Sequence, residues 1–183
     1  MKIFRLSLIL LVIIIISSCS TPQEESNTSK IDNKDLPDQE SWQSSVTITK
    51  EGRLVAEIKA GYIASYSKKN ETILGDSIHV DFFNREGKHN SVLTAHSGIV
   101  FNQTTNLMAT GNVVVISDSG MVLKTEELQW DNKMQKIISK VPVVFMSKTD
   151  TIFGDSFISD PDLKNYEIYN TRGYSKRLIP LDK

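Results

Sequence analysis

Residues 93–98 read Leu-Thr-Ala-His-Ser-Gly, and residues 107–115 read Leu-Met-Ala-Thr-Gly-Asn-Val-Val-Val. Apolar and polar side chains alternate in both, and Gly, Asn or Ser interrupts the run, as in short antiparallel strands. Alternation places Leu93, Ala95, Ser97, Ile99 and Phe101 on one face of a strand over 92–101, and Val113 with Val115 on one face of a strand over 112–117. The same texture extends outward in both directions. Strands are expected at 45–49, 54–66, 78–83, 122–130, 136–146, 151–159 and 166–169, each rich in Val, Ile, Thr, Tyr or Phe. The reading is all-β with little helix.

The strands repeat as a unit. Ile58-Lys59-Ala60-Gly61, Leu93-Thr94-Ala95-His96, Leu123-Lys124-Thr125-Glu126 and Ile152-Phe153-Gly154-Asp155 share an apolar residue, a spacer and a small residue. Aligned on Ala60, Ala95, Thr125 and Gly154, they lie 35, 30 and 29 residues apart. A period near 30 belongs to repeat architectures, in which stacked strand pairs extend two facing sheets. The core then fills the trough between the sheets.

Alternation nominates the side chains of that trough. Leu54, Ala56, Ile58 and Ala60 share a face, with Val55, Glu57 and Lys59 opposite. Ile78, Val80 and Phe82 form a second set. Val113, Val115, Leu123, Thr125, Val141, Val143, Phe145 and Ile152 complete the list. A closed trough is only a core; an open one takes acyl chains at about 0.8 kcal/mol per CH₂. Ala60, Ala95, Ala109 and Gly111 either leave room in the trough or merely let the sheets approach. Pro142, inside a strand-like run, marks a bulge or an edge.

The amino terminus is different. Residues 1–19 read Met-Lys-Ile-Phe-Arg-Leu-Ser-Leu-Ile-Leu-Leu-Val-Ile-Ile-Ile-Ile-Ser-Ser-Cys. Lys2 and Arg5 precede an apolar run the size of a signal-peptide core, shorter than the roughly 20 residues a spanning helix needs. Ile16-Ser17-Ser18-Cys19 resembles a bacterial lipobox, with small residues beside the scissile bond and a thiol at the membrane surface. Residues 1–18 are expected to be a lipoprotein signal peptide and Cys19 the lipidated anchor, its acyl chains adding about 0.8 kcal/mol per buried CH₂. Residues 20–41 carry six acidic and two basic side chains, two prolines, and only Ile31 and Leu36 as aliphatics. Residues 19–41 thus read as a lipidated start and flexible tether, about 70 Å if extended. The β domain is expected at 42–176, with a tail at 177–183.

The remaining composition excludes classes. With 183 residues, 21 Lys+Arg against 22 Asp+Glu and one Cys, the chain is one domain with no basic footprint for nucleic acid and no internal disulfide. Gly75-Asp76-Ser77 and Gly154-Asp155-Ser156 repeat a hydrolase-like triplet, but no His follows His96 to complete a late base. His79, His89 and His96 lack metal-ligand spacing. No enzyme and no cofactor is expected.

The stretch Glu51-Gly52-Arg53-Leu54-Val55-Ala56-Glu57-Ile58-Lys59-Ala60, the two quoted at the outset, and Val141-Pro142-Val143 together resemble the LptC family of lipopolysaccharide export, over about residues 45–173. The resemblance implies a β-jellyroll with a hydrophobic groove for lipopolysaccharide acyl chains. It also implies an inner-membrane ABC transporter as donor and an LptA-like relative as acceptor, joined by strand-edge pairing at 45–66 and 166–174. The family's familiar members use a transmembrane helix; here Cys19 takes that place. Ser20 follows it, and the membrane of residence, inner or outer, stays open. Two other readings are a surface lipoprotein that binds protein or glycan with a filled β core, and a structural scaffold.

Overall fold

The computed structural model describes residues 36–175. Cys19, the expected signal segment and the tail at 177–183 lie outside them. Among the described residues all regular structure is strand: β1 (Gln39–Lys50), β2 (Arg53–Tyr66), β3 (Glu71–Phe83), β4 (His89–Ala95), β5 (Ser97–Phe101), β6 (Asn106–Ser117), β7 (Val122–Asp131), β8 (Lys136–Ser139), β9 (Val143–Met146), β10 (Asp150–Gly154), β11 (Ser156–Ser159), β12 (Tyr166–Tyr169) and β13 (Arg172–Ser175). Every pairing is antiparallel. This is the all-β, two-sheet arrangement that alternation predicts. β1 starts ahead of the Trp42 boundary because Gln39–Trp42 pairs with Tyr62–Ser65.

All thirteen strands belong to one hydrogen-bonded sheet, folded along a crease where the ladders of the crossing strands are interrupted, at a left-handed residue in three of them. In β1 it is Gln43 (φ 49°), in β3 Asp76 and Ser77 (φ 55° and 69°), and in β6 Gly111 and Asn112 (φ 79° and 48°). The 92–101 run breaks at His96, the 136–146 run at 140–142 around Pro142, and the 151–159 run at Asp155. The two Gly-Asp-Ser triplets are therefore matching bends of the sheet. Hydrogen bonds tie neighbouring bends together: Ser77 N to His96 O (3.1 Å), His96 N to Gly111 O (3.0 Å) and Asp155 N to Tyr169 O (3.0 Å). The Glu126 carboxylate accepts from Asn112 N at 3.2 Å.

The crease divides the strands between two facing sheets. The first holds residues 53–60, 78–83, β4, 113–117, 122–125, β9, β10 and β13. The second holds residues 62–66, 71–74, β5, 106–110, 127–131, β8, β11 and β12. One apolar cluster with members from both sheets fills the space between them.

The bends also set which side chains face inward. Buried residues flanking the crease lie three apart in β2 (Ala60, Ile63), β4–β5 (Ala95, Gly98) and β7 (Thr125, Leu128). They lie four apart in β3 (Leu74, Ile78) and β6 (Ala109, Val113). A spacing of three reverses the phase of a two-residue repeat; four preserves it. Strict alternation through His96 therefore fails: Gly98 and Val100 face inward, while Ser97, Ile99 and Phe101 are only half-buried on the outer side. A second irregularity, between Ile48 and Thr49 opposite Val55, buries Val55 together with Ala56 and leaves Leu54 half-buried.

Gly61 packs directly against the backbone of Asp76 at the crease. A Cβ there lies 2.5 Å from the Asp76 carbonyl oxygen and 2.6 Å from the Asp76 Cβ. Gly61→Ala is expected to lower the unfolding free energy by about 2 kcal/mol through forced backbone movement. Gly120→Asn, at a turn with open space around it, is expected to cost a few tenths. Urea denaturation of both variants checks the contrast.

Candidate functional site

The inner surface of the first sheet is built from cross-strand rows. Beside the crease, Ala60 pairs with Ile78 and Ile78 with Ala95; Val113 pairs with Thr125, Thr125 with Val143, and Val143 with Gly154. The four repeat residues Ala60, Ala95, Thr125 and Gly154 thus share this row. Ile78, Val113 and Val143 alternate with them, all buried. Thr125 Oγ1 is shared with Ser139 Oγ (3.1 Å) and donates to Pro142 O (3.0 Å), so its polarity is consumed in holding the β8–β9 bend.

The next row runs unbroken through seven strands: Ile58, Val80, Leu93, Val115, Leu123, Phe145 and Ile152. All seven are sequence-nominated groove residues. The first six are buried, and Ile152 is half-buried against the cluster. A third row runs from Ile48 and Ala56 through Phe82 to Ser91 and Ser117. The structure therefore brings these nominated residues together on the inner side, whereas Ser97, Ile99 and Phe101, assigned to the same face as Leu93 and Ala95, lie on the outer side.

Alternation did not supply the second wall. The second sheet contributes Ile63, Leu74, Val100, Leu107, Ala109, Leu128, Trp130, Ile137 and Phe157. One row joins Val100, Leu107, Trp130, Ile137, Ser159 and Tyr166 in register. The available signal was the alternation Leu107-x-Ala109 and Leu128-x-Trp130, read in the phase that follows each bend.

The walls touch. Phe82 meets Trp130 edge to face at 5.3 Å between centroids, and Phe145 stacks on Phe157 at 5.7 Å. Side chains fill the lumen. Opposite the crease lies the mouth, a cleft of about 810 Å³ between the β1–β2 and β3–β4 turns of one sheet and the β7–β8 and β11–β12 turns of the other. Lys50 Nζ crosses it to donate to Asn132 O (3.3 Å) and Lys133 O (3.0 Å). The 160–165 loop turns Leu163 fully inward at φ 60°. A branched residue pays about 1–2 kcal/mol for that conformation, which burial of its side chain offsets.

Asp160 anchors this loop through Lys136 Nζ at 2.7 Å and Asn165 Nδ2 at 2.7 Å. Burial pushes the Asp160 carboxyl up, but the hydrogen bonds from Lys136 and Asn165 outweigh it and hold the group below the usual carboxylate range. On the outer face of the first sheet Lys59 and His79 both pair with Asp81, at 3.2 and 3.1 Å.

The trough ends in strand edges. Among the described residues β1 pairs only with β2, β12 only with β11 and β13 only with β10. An opening of about 350 Å³ at the β12–β13 end is lined by Ile152, Tyr166, Ile168 and Arg172. The family model described as lipopolysaccharide-assembly, LptC-related matches residues 6–174. No curated protein matches the chain.

Leu93→Ala is expected to cost about 3 kcal/mol, a buried-cavity value. Ile99→Ala, on the outer side, is expected to cost about 1 kcal/mol. Equal losses in urea denaturation would reverse the assignment of faces. The contribution of Asp160 is present above its unfolded value of about 4 and is lost as pH falls through its lower folded value. Asp160→Asn should therefore flatten the acid limb of the stability–pH curve.

Proposed function

The chain belongs to the LptC-related lipopolysaccharide-assembly family, and from that premise we propose that it is a membrane-tethered bridge for lipopolysaccharide. The family acts in lipopolysaccharide transport, is periplasmic and membrane-associated, and is not an enzyme family. In this reading the protein accepts lipid from an inner-membrane ABC transporter and passes it toward the outer membrane, its acyl chains moving between the two sheets. Cys19 carries the lipid anchor, and the sequence between it and the domain gives the reach to stand off the membrane.

The observation that carries the reading is the seven-strand apolar row from Ile58 to Ile152, which runs the length of the trough between two strand edges. Unpaired edges accept further strands. β1 at one end and β12 with β13 at the other would extend the row into the transporter and an LptA-like relative. A second reading, a lipoprotein that binds protein or glycan around a filled core, is favoured by the near-complete burial of the inner rows.

Photo-crosslinking separates the two. Probes at Ile58, Val80, Ala95 and Val115 should capture lipopolysaccharide in cells with an active transporter, and a probe at Ile99 should not. Failure of all four inner probes would leave the binding-module reading.

A further inference from the structure

The solvent side of an antiparallel sheet is normally polar, because alternation turns the apolar side chains inward. The outer face of the second sheet departs from that rule. Ile73, Ile99, Met108, Gln129, Ile138 and Ile158 form one cross-strand row through six strands, each half-buried and on the side away from the trough. Beyond Ile73 the row passes through Ala64 to Glu40 on β1; beyond Ile158 it ends at Glu167 on β12. None of the five large apolar members belongs to the core between the sheets.

The charge around this row has one sign. Five carboxylates stand on the same face: Glu40, Glu71, Glu127, Asp131 and Glu167. Among the described residues none of the five is in an ion pair. Glu71 flanks Ile73, and Glu127 and Asp131 flank Gln129, each two residues away along the strand. The ammonium of Lys136, two residues from Ile138, is taken by Asp160 at 2.7 Å. The outer face of the first sheet, by contrast, mixes Lys59 and Lys124 with Glu57 and Asp81. At the β1 end of the row Trp42 is 63% exposed and contacts Tyr62 at 5.7 Å between centroids. The Tyr62 hydroxyl donates to Glu40.

An apolar stripe between unpaired carboxylates is complementary to a segment with one apolar face and Lys or Arg beside it. Strands are about 4.8 Å apart and a helix turn rises about 5.4 Å, so each turn of a helix laid along the row meets about one strand. Ile73 to Ile158 is five strand steps, about 24 Å, the length of a helix of about 16 residues. We propose that the outer face of the second sheet docks a basic amphipathic helix of a partner protein, whatever the trough carries. The helix covers the row with its apolar face, and its cations meet the carboxylates and the Trp42 ring. An anionic membrane surface or a second copy of the same face would instead bring negative charge against the five carboxylates. Residues 20–35 of the chain itself, with four acidic and two basic side chains, have the wrong sign as well.

The test uses the full chain in phosphatidylcholine nanodiscs, with two synthetic helices of about 16 residues as probes, one of Leu and Lys and one of Leu and Glu. Neither probe contains Trp, and Trp130 is buried, so a change in emission reports Trp42. The Leu/Lys helix should bind saturably, shift the emission to shorter wavelength and weaken as salt rises; the Leu/Glu helix should not bind. Ile99→Asp should weaken the Leu/Lys helix about tenfold, whereas Val114→Asp, on the outer face of the first sheet, should leave it unchanged. The double variant Glu127→Gln/Glu167→Gln alters only outward side chains; it should melt as the wild type does, bind the Leu/Lys helix severalfold more weakly and flatten its salt dependence. Equal binding of the two helices, or unchanged affinity in the double variant, would overturn the proposal. So would an emission shift in phosphatidylglycerol nanodiscs without peptide, which assigns the face to a membrane surface, or a photo-probe at Ile99 that joins two copies of the chain, which assigns it to self-association.

Discussion

The structure depends on one constraint: every long strand must break its ladder at the same level. A twisted antiparallel sheet of this width exposes one apolar face unless another layer covers it. Here the sheet covers itself by folding along the crease. That requires a bend in each strand, and each bend leaves backbone groups outside the ladder. The bends pair with each other instead, Ser77 with His96 and His96 with Gly111, so the crease carries its own hydrogen bonds. Left-handed residues at 76, 77, 111 and 112 make the sharp turns possible.

The crease explains which parts of the fold were legible in the sequence. Strand content and the inward set of the first sheet were, because alternation runs undisturbed from Ile58 to Ala60, from Ile78 to Phe82 and from Val113 to Val115. The repeat was also legible: its small residues occupy one physical row. The phase after each bend was not. Three- and four-residue crossings alternate along the chain, and nothing in the composition of Ala95-His96-Ser97-Gly98 counts them. Ile99 was consequently assigned inward and lies outward, and the second wall, with Trp130 and Phe157, was missed. The bends themselves had a signal in Pro142, read as a bulge or an edge, and in the repeated Gly-Asp-Ser triplets, which were weighed only as a hydrolase motif.

A folded sheet has two unlike sides to its trough. The crease side is fixed by backbone hydrogen bonds, whereas across the mouth the Lys50 side chain donates to two carbonyls of the opposite wall. Exposed contacts of this kind contribute little, typically under about 1 kcal/mol each. The sheets are thus hinged where they are strong and latched where they are weak. The buried aromatic contacts Phe82–Trp130 and Phe145–Phe157 lie between, and hold the walls together by apolar contact.

On the proposed lipid-carrying reading, this arrangement reconciles a filled lumen with the carriage of acyl chains. Parting the walls exposes apolar rows, and a chain of methylenes laid between them covers the same rows again, at about 0.8 kcal/mol per CH₂. The exchange replaces one apolar contact by another, so its net free energy is small compared with either term. A carrier benefits from that near-balance: a permanently open, preformed groove would hold its lipid more tightly and release it more slowly. The unbroken row from Ile58 to Ile152 offers similar aliphatic surface at each strand, and a chain sliding along it meets no deep minimum on the way.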